Sequence, residues 1–107
     1  EHEFQELFTE KFTNFMECNF KSMEVIFGFL ELTFEFEITK IFEKHTKNRS
    51  EYRSLADNSK ELEQDFKGYV QVFVDKHGCI PNLSILDLIC NEGPNSMLYL
   101  EAQNIII

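Results

Sequence analysis

Apolar positions recur at helical intervals along most of the chain. Between Glu3 and Cys18 they fall at Phe4, Leu7, Phe8, Phe12, Phe15 and Met16, and these line one face of a helix, with room for a break inside it. Asn19 to Ser22 reads as a polar connector. Ser22 would cap the next helix, and Glu24 would sit in its first turn, where the helix dipole favours an anion. Met23 to Lys44 supports two patterns. Phe29 to Ile38 partly alternates apolar and polar residues, as a half-buried strand would, while Phe27, Leu30, Phe34, Ile38 and Ile41 step by three or four. Length favours helix, because 22 residues without proline far exceed the roughly 5–6 of an ordinary strand. Apolar residues on several faces would make it the central, most buried helix.

The second half is more sharply punctuated. His45 to Ser59 is polar and reads as a connector, with a helical piece within Glu51–Leu55 and a stop and cap at Asp57-Asn58-Ser59. Lys60 to His77 predicts an amphipathic helix with Leu62, Phe66, Val70, Phe73 and Val74 on one face and Tyr69 beside them. Gly68 inside it costs about 1 kcal/mol relative to alanine, which points to close packing there. Gly78 is a natural stop and Pro81 marks the loop that follows. Asn82 to Asn91 predicts a short helix capped by Asn82 or Ser84, with Leu83, Leu86 and Ile89 inward. Glu92-Gly93-Pro94 breaks the chain, and Asn95 or Ser96 caps a last helix through Ala102 to Ile107. The expectation is a single all-α domain spanning 1–107, a bundle of about five or six helices.

Charge and composition narrow the chemistry. Nineteen acidic residues against ten basic ones leave a net charge of −9. That balance disfavours a nucleic-acid partner, which needs a basic face, and docking on anionic lipid through this domain alone; no direct membrane insertion is expected. Cys18, Cys79 and Cys90 are odd in number and widely spaced, so they imply free thiols rather than a disulfide framework. His2, His45 and His77 are scattered, and no clustered metal-ligand set is legible. There is no nucleophile motif, no glycine-rich phosphate loop and no cofactor signature. Glu31 and Glu35, at i and i+4 of the expected helix, read as a solvated acidic stripe rather than an acid–base pair. A binding module is the natural class, and a stand-alone enzyme is not expected. Without a long apolar run or a signal-like start, the expected location is cytoplasmic, with recruitment to the inner face of a membrane left to a partner or to other domains.

Two blocks carry a more specific pattern. Residues 12–34 read FTNFMECNFKSMEVIFGFLELTF. They resemble the signature of RGS domains (regulators of G-protein signalling), in which F-x-x-F-L closes one helix, an S-E-[FY]-S-E-E-N turn follows, and L-x-F-W-x-x-x-x-x-[FY] opens the next. Phe12, Phe15, Met16, Phe20, Val25, Phe27 and Phe34 fall at matching positions without a gap. Residues 94–103, PNSMLYLEAQ, resemble the family's proline, its aromatic five residues on, and its D-E-A-Q, through Pro94, Tyr99, Glu101, Ala102 and Gln103. Between the blocks, Tyr69 to Phe73 resembles an I-Y-x-x-[FY] helix, and Asn82-Leu83 resembles the start of I-N-L-D-S.

The resemblance implies an RGS-like helical bundle that binds heterotrimeric G-protein α subunits and acts as a GTPase activator by stabilising their switch regions, without a catalytic side chain, metal or cofactor of its own. It places partner contacts at Lys21, Ser22, Met23 and Glu24 in the first turn, and at Asn82 and Leu83. The third contact loop of the family lies beyond Ile107, so the family's last helices are expected to be missing. Departures are specific: the family's contact Glu and Asn become Met23 and Glu24, and its Trp becomes Gly28. They point to weak activation, or to a protein-interaction or scaffold module with an RGS-like fold in a larger protein. A third reading, a helical bundle that self-associates through exposed phenylalanines or its apolar C-terminal helix, also fits the pattern.

Overall fold

The computed structural model describes residues 2–57, 59 and 62–106. Every regular element among them is helical: α1 (His2–Thr9), α2 (Phe15–Phe29), α3 (Val74–His77), α4 (Ile85–Glu92) and α5 (Ser96–Glu101), with single 3-10 turns at Arg53–Ala56 and Gly93–Asn95. The all-α expectation holds at that level. The chain divides into two compact units, Glu1–Glu37 and Ile38–Ile107.

The first unit pairs α1 with α2. Glu10–Asn14 breaks the expected first helix, because Thr13 and Asn14 offer a better N-terminus than continuation does. The Asn14 side chain accepts from the Glu17 N–H at 2.9 Å, and the Glu17 carboxylate accepts from the Thr13 hydroxyl at 2.6 Å and the Thr13 N–H at 3.1 Å. This is a capping box, with Glu17 reaching back one residue further than usual. The Thr13 hydroxyl, with help from the Thr13 N–H, holds the Glu17 carboxyl below its ordinary range. The Asn19–Ser22 connector does not form. Those residues lie inside α2, and the Ser22 hydroxyl donates to the Cys18 carbonyl at 2.8 Å instead of capping a new helix.

The expected central helix over Met23–Lys44 stops at Phe29. The Leu32 N–H donates to Phe27 O at 2.9 Å and the Glu31 N–H to Gly28 O at 3.1 Å, with Glu31 at φ 57°. This is a Schellman closure, which usually recruits glycine at the left-handed position. Beyond it the chain is irregular, neither helix nor strand. The aromatic, β-branched sequence after Leu30 has weak helix propensity. Here ring packing wins: Phe20 stacks on Phe36 at 4.4 Å, Phe34 lies 4.8 Å from Phe36 and 5.1 Å from Phe27, and Phe4 stacks on Phe29 at 4.8 Å. Phe34 and Phe36, two residues apart, share a side as the alternating pattern would have them. The Glu31–Glu35 helical face is therefore not formed. Among the described residues of this unit, Val25 is the buried apolar one. Replacing Glu31 by glycine is expected to raise the stability of the first unit by about 0.5–1 kcal/mol by removing a left-handed side chain. Urea unfolding checks this, and Glu31→Ala, which removes the charge but keeps a Cβ, should show no such gain.

The second unit begins with an exposed segment organised by Arg53. Its guanidinium donates to both carboxylate oxygens of Glu51 and, at 2.8 Å, to Glu43 O, and it stands 5.2 Å from the centre of the Phe42 ring. Hydrogen bonding from Arg53 pushes the Glu51 carboxyl down to about 2. The expected helical piece in Glu51–Leu55 appears as the turn Arg53–Ala56.

The long helix expected over Lys60–His77 does not form: Lys60 and Glu61 lie outside the described residues, and of the described ones in that range only Val74–His77 are helical. Gly68, Val70 and Val72 weaken it locally, and side-chain bridges replace its ladder. Gln71 donates to Ile80 O at 2.7 Å and accepts from Ile80 N–H at 2.9 Å. Gln64 makes the same reciprocal pair with Ile106, at 2.7 and 2.9 Å. Gln103 accepts from Lys67 N–H at 2.9 Å, while the Tyr99 hydroxyl donates to Lys67 O. Gln71 and Gln64 thus each present to the backbone the donor and acceptor that a neighbouring strand would, while at Lys67 Gln103 and Tyr99 share that role. Gly68 lies close under this region, where a Cβ would stand 3.2 Å from the Cys79 sulfur.

The C-terminal elements follow the sequence more closely. Gly78 stops α3 at φ 68°, Ser84 caps α4 by accepting from the Leu86 N–H, and Gly93-Pro94 forms the break. The buried residue of α4 is Leu88, 4% exposed; of the three expected inward, Ile89 is half-buried, Leu86 is 38% exposed, and Leu83, 41% exposed, lies before the helix. The last helix starts at Ser96 and ends at Glu101, short of the expected extension. Ser96, 1% exposed, donates its hydroxyl to Leu88 O at 3.5 Å and links α5 to α4. Among the described residues, no helix is long and apolar enough to cross a membrane.

Candidate partner-binding surfaces

The six residues assigned to partner contact fall in both units. Lys21, Ser22, Met23 and Glu24 occupy the middle of α2, so the anticipated turn is a helical surface. Lys21 and Glu24 pair across one turn at 3.5 Å, with both side chains well exposed; a pair of this kind contributes a few tenths of a kcal/mol. Met23 is 42% exposed. Ser22 is turned toward its own helix by its bond to Cys18 O.

Asn82 and Leu83 lie on the loop that leads into α4. Asn82 takes φ 56°, a left-handed conformation that asparagine tolerates better than most residues. Both line a cavity of about 240 Å³ whose walls include Phe66, Ile85, Leu88 and Leu100. Tyr69 and Tyr99 close its side, edge to face at 5.2 Å between ring centres. The Tyr69 hydroxyl donates to the Asp87 carboxylate on α4. Burial, reinforced by the neighbouring Asp87 carboxylate, pushes the Tyr69 phenol up to about 12, and burial also raises that of Tyr99. Both phenols therefore stay neutral donors across the working pH range.

The sequence reading missed the glutamine bridges and the Tyr69–Asp87 bond. Their signal was faint: Gln64, Gln71 and Gln103 occupy no recognisable motif, and their partners lie 9 to 42 residues away. The capping box of α2 was missed as well, although Asn14-x-x-Glu17 carries its signal. Among the described residues, no group of three or more His, Cys, Asp or Glu side chains could hold a metal ion. The three cysteines are free thiols, with Cys79 and Cys90 exposed. No protein-family model, curated protein or solved structure matches this chain.

Proposed function

We propose that this chain is an RGS-like interaction domain that engages heterotrimeric G-protein α subunits. The observation that carries the reading is the ungapped run of aromatic and apolar residues from Phe12 to Phe34, followed in order by Pro94 to Gln103. Packing supports it. Phe27 and Phe34 of the first block pack tilted against each other, Phe20 and Phe34 both pack on Phe36, and Tyr99 and Gln103 of the second block tie the backbone at Lys67. These matching residues thus do structural work here, whereas Phe15 and Met16, which also match, stand 80% and 48% exposed.

Such a domain acts by holding the switch segments of its partner in the arrangement that suits the transition state. The partner already supplies a glutamine that orients water and an arginine that stabilises charge. Preorganising those groups lowers the barrier electrostatically, without a side chain from the activator. Lys21 to Glu24 and Asn82-Leu83 are the contact groups in this reading. Glu24 departs from the family's neutral amide, and its pairing with Lys21 favours the second reading, an RGS-like scaffold module that does not accelerate GTP hydrolysis.

The test is titration of the chain against Gα subunits loaded with GDP or with GDP and aluminium fluoride. The expected result is tighter binding in the fluoride state. The double substitution Met23→Glu, Glu24→Asn should strengthen that binding about tenfold, equivalent to one good charge-assisted contact. Equal affinity for both states, or no binding, would remove the activator reading and leave the scaffold one.

A further inference from the structure

We propose that the aromatic groove of the Glu1–Glu37 unit docks a basic amphipathic helix of a partner protein. The inference stands on this unit's own geometry and does not require the Gα reading. The groove has a volume of about 480 Å³ and an apolar floor made by Phe12, Phe20, Phe34 and Phe36. Glu10, Glu17 and Glu24 rim it, with Lys21 as the one basic lining residue. Lys21 is already paired with Glu24.

Three features select the occupant. The first is charge. Residues 1–37 hold nine acidic side chains against two basic ones, so this unit carries most of the chain's net charge of −9. An acidic peptide, a nucleic acid or an anionic lipid surface would be repelled. The second is the rings. Phe20 stacks on Phe36, Phe34 packs tilted against the same ring, and Phe36 is still 50% exposed. Ring faces attract cations, and the methylene stems of lysine and arginine lie well on aromatic carbon. The third is rim protonation: the Thr13 bonds keep the Glu17 carboxylate oriented and ionised at the groove edge. A helix with leucines on one side and lysines or arginines flanking them satisfies floor and rim together.

The experiment uses the 107-residue chain and two labelled amphipathic peptides of about five helical turns, one of leucine and lysine, the other with glutamate replacing every lysine. Fluorescence anisotropy is read at about 0.05 and 0.3 M salt, between which the screening length shortens roughly twofold. The lysine peptide should bind at least about tenfold more tightly than the glutamate peptide, and should weaken with salt. Glu10→Gln should lower its affinity about threefold and flatten the salt dependence. Phe36→Ala should lower it about tenfold. If circular dichroism shows that Phe36→Ala disturbs the fold, Phe36→Leu keeps the bulk without the ring face and should still lose about threefold. Both substituted positions lie outside Lys21–Glu24, so their effects are separable from Gα contact. Equal binding of the two peptides, no binding of the lysine peptide, or wild-type affinity in both Glu10→Gln and Phe36→Leu would each overturn the proposal.

Discussion

Truncating Leu88 to alanine should cost the second unit about 2–4 kcal/mol. Leu88 is the buried apolar side chain of α4, at 4% exposure, and its carbonyl receives the Ser96 hydroxyl that links α5. Removing a buried leucine loses its transfer free energy and leaves a cavity that neighbours fill only in part. A unit of this size has a total stability on the order of 5 kcal/mol, so the variant should sit close to its unfolding midpoint in water. The chain provides its own reporter. All three tyrosines, Tyr52, Tyr69 and Tyr99, belong to the second unit, whereas nine of the twelve phenylalanines belong to the first. Urea titration followed by tyrosine fluorescence therefore reads the second unit alone. Leu98→Ala, at a position 66% exposed on α5, should change the same midpoint by no more than about 0.5 kcal/mol. A Leu88→Ala effect as small as that of Leu98→Ala would mean that α4 is not packed as described.

The substitution Gln71→Glu should be destabilising by about 2–4 kcal/mol at neutral pH and much less so near pH 4. Gln71 is 6% exposed and faces both the N–H and the carbonyl of Ile80. A carboxylate there keeps the acceptor for the N–H but sets a negative oxygen against the carbonyl, with no donor to satisfy it. Protonation restores a donor, so the folded state holds the proton more tightly than the unfolded chain does. The folded pKa is then raised above an unfolded value of about 4.3. The sign follows: relative to wild type, stability is retained below the unfolded pKa and lost as pH rises toward the folded pKa. Gln71→Met, which keeps the shape and cannot ionise, should show a penalty that does not change with pH. A Gln71→Glu penalty that is equally flat would argue against the reciprocal pair.

What the sequence disclosed depended on how local its cause was. The cap at Ser84, the stop at Gly78 and the break at Gly93-Pro94 depend on a few adjacent residues, and they were legible. The two long helices were not. Their apolar spacing satisfied a helical period, but that period says only which side chains can share a face. In the 29–38 stretch the rings of Phe34 and Phe36 meet Phe20 and Phe27 from non-helical backbone, so distant packing outweighed local preference. In the 62–71 stretch the helix lost to glutamine bridges that no pattern of apolar residues encodes. The contact residues differ in the same way: Asn82, one of two residues expected to cap the next helix, lies on the loop before Ser84 caps it, while Lys21 to Glu24 lie on a helix, because the Thr13–Asn14 cap starts α2 earlier than Ser22 would.

The glutamine bridges also change how this chain should tolerate mutation. In most small domains sensitivity follows depth, since the interior holds the contacts that cannot be replaced. Here Gln64 and Gln103 are only partly covered, yet each fixes a backbone segment more than thirty residues away in sequence. Their side chains stand where a β-ladder would otherwise spread the same role over several residues; at Lys67 the Tyr99 hydroxyl shares the hold with Gln103, while at Ile106 Gln64 supplies both bonds. Exposure is thus a poor guide to which positions selection can change freely. In the second unit the scarce resource is the carboxamide group, and its loss by a single conservative replacement unties more structure than removing many larger surface side chains.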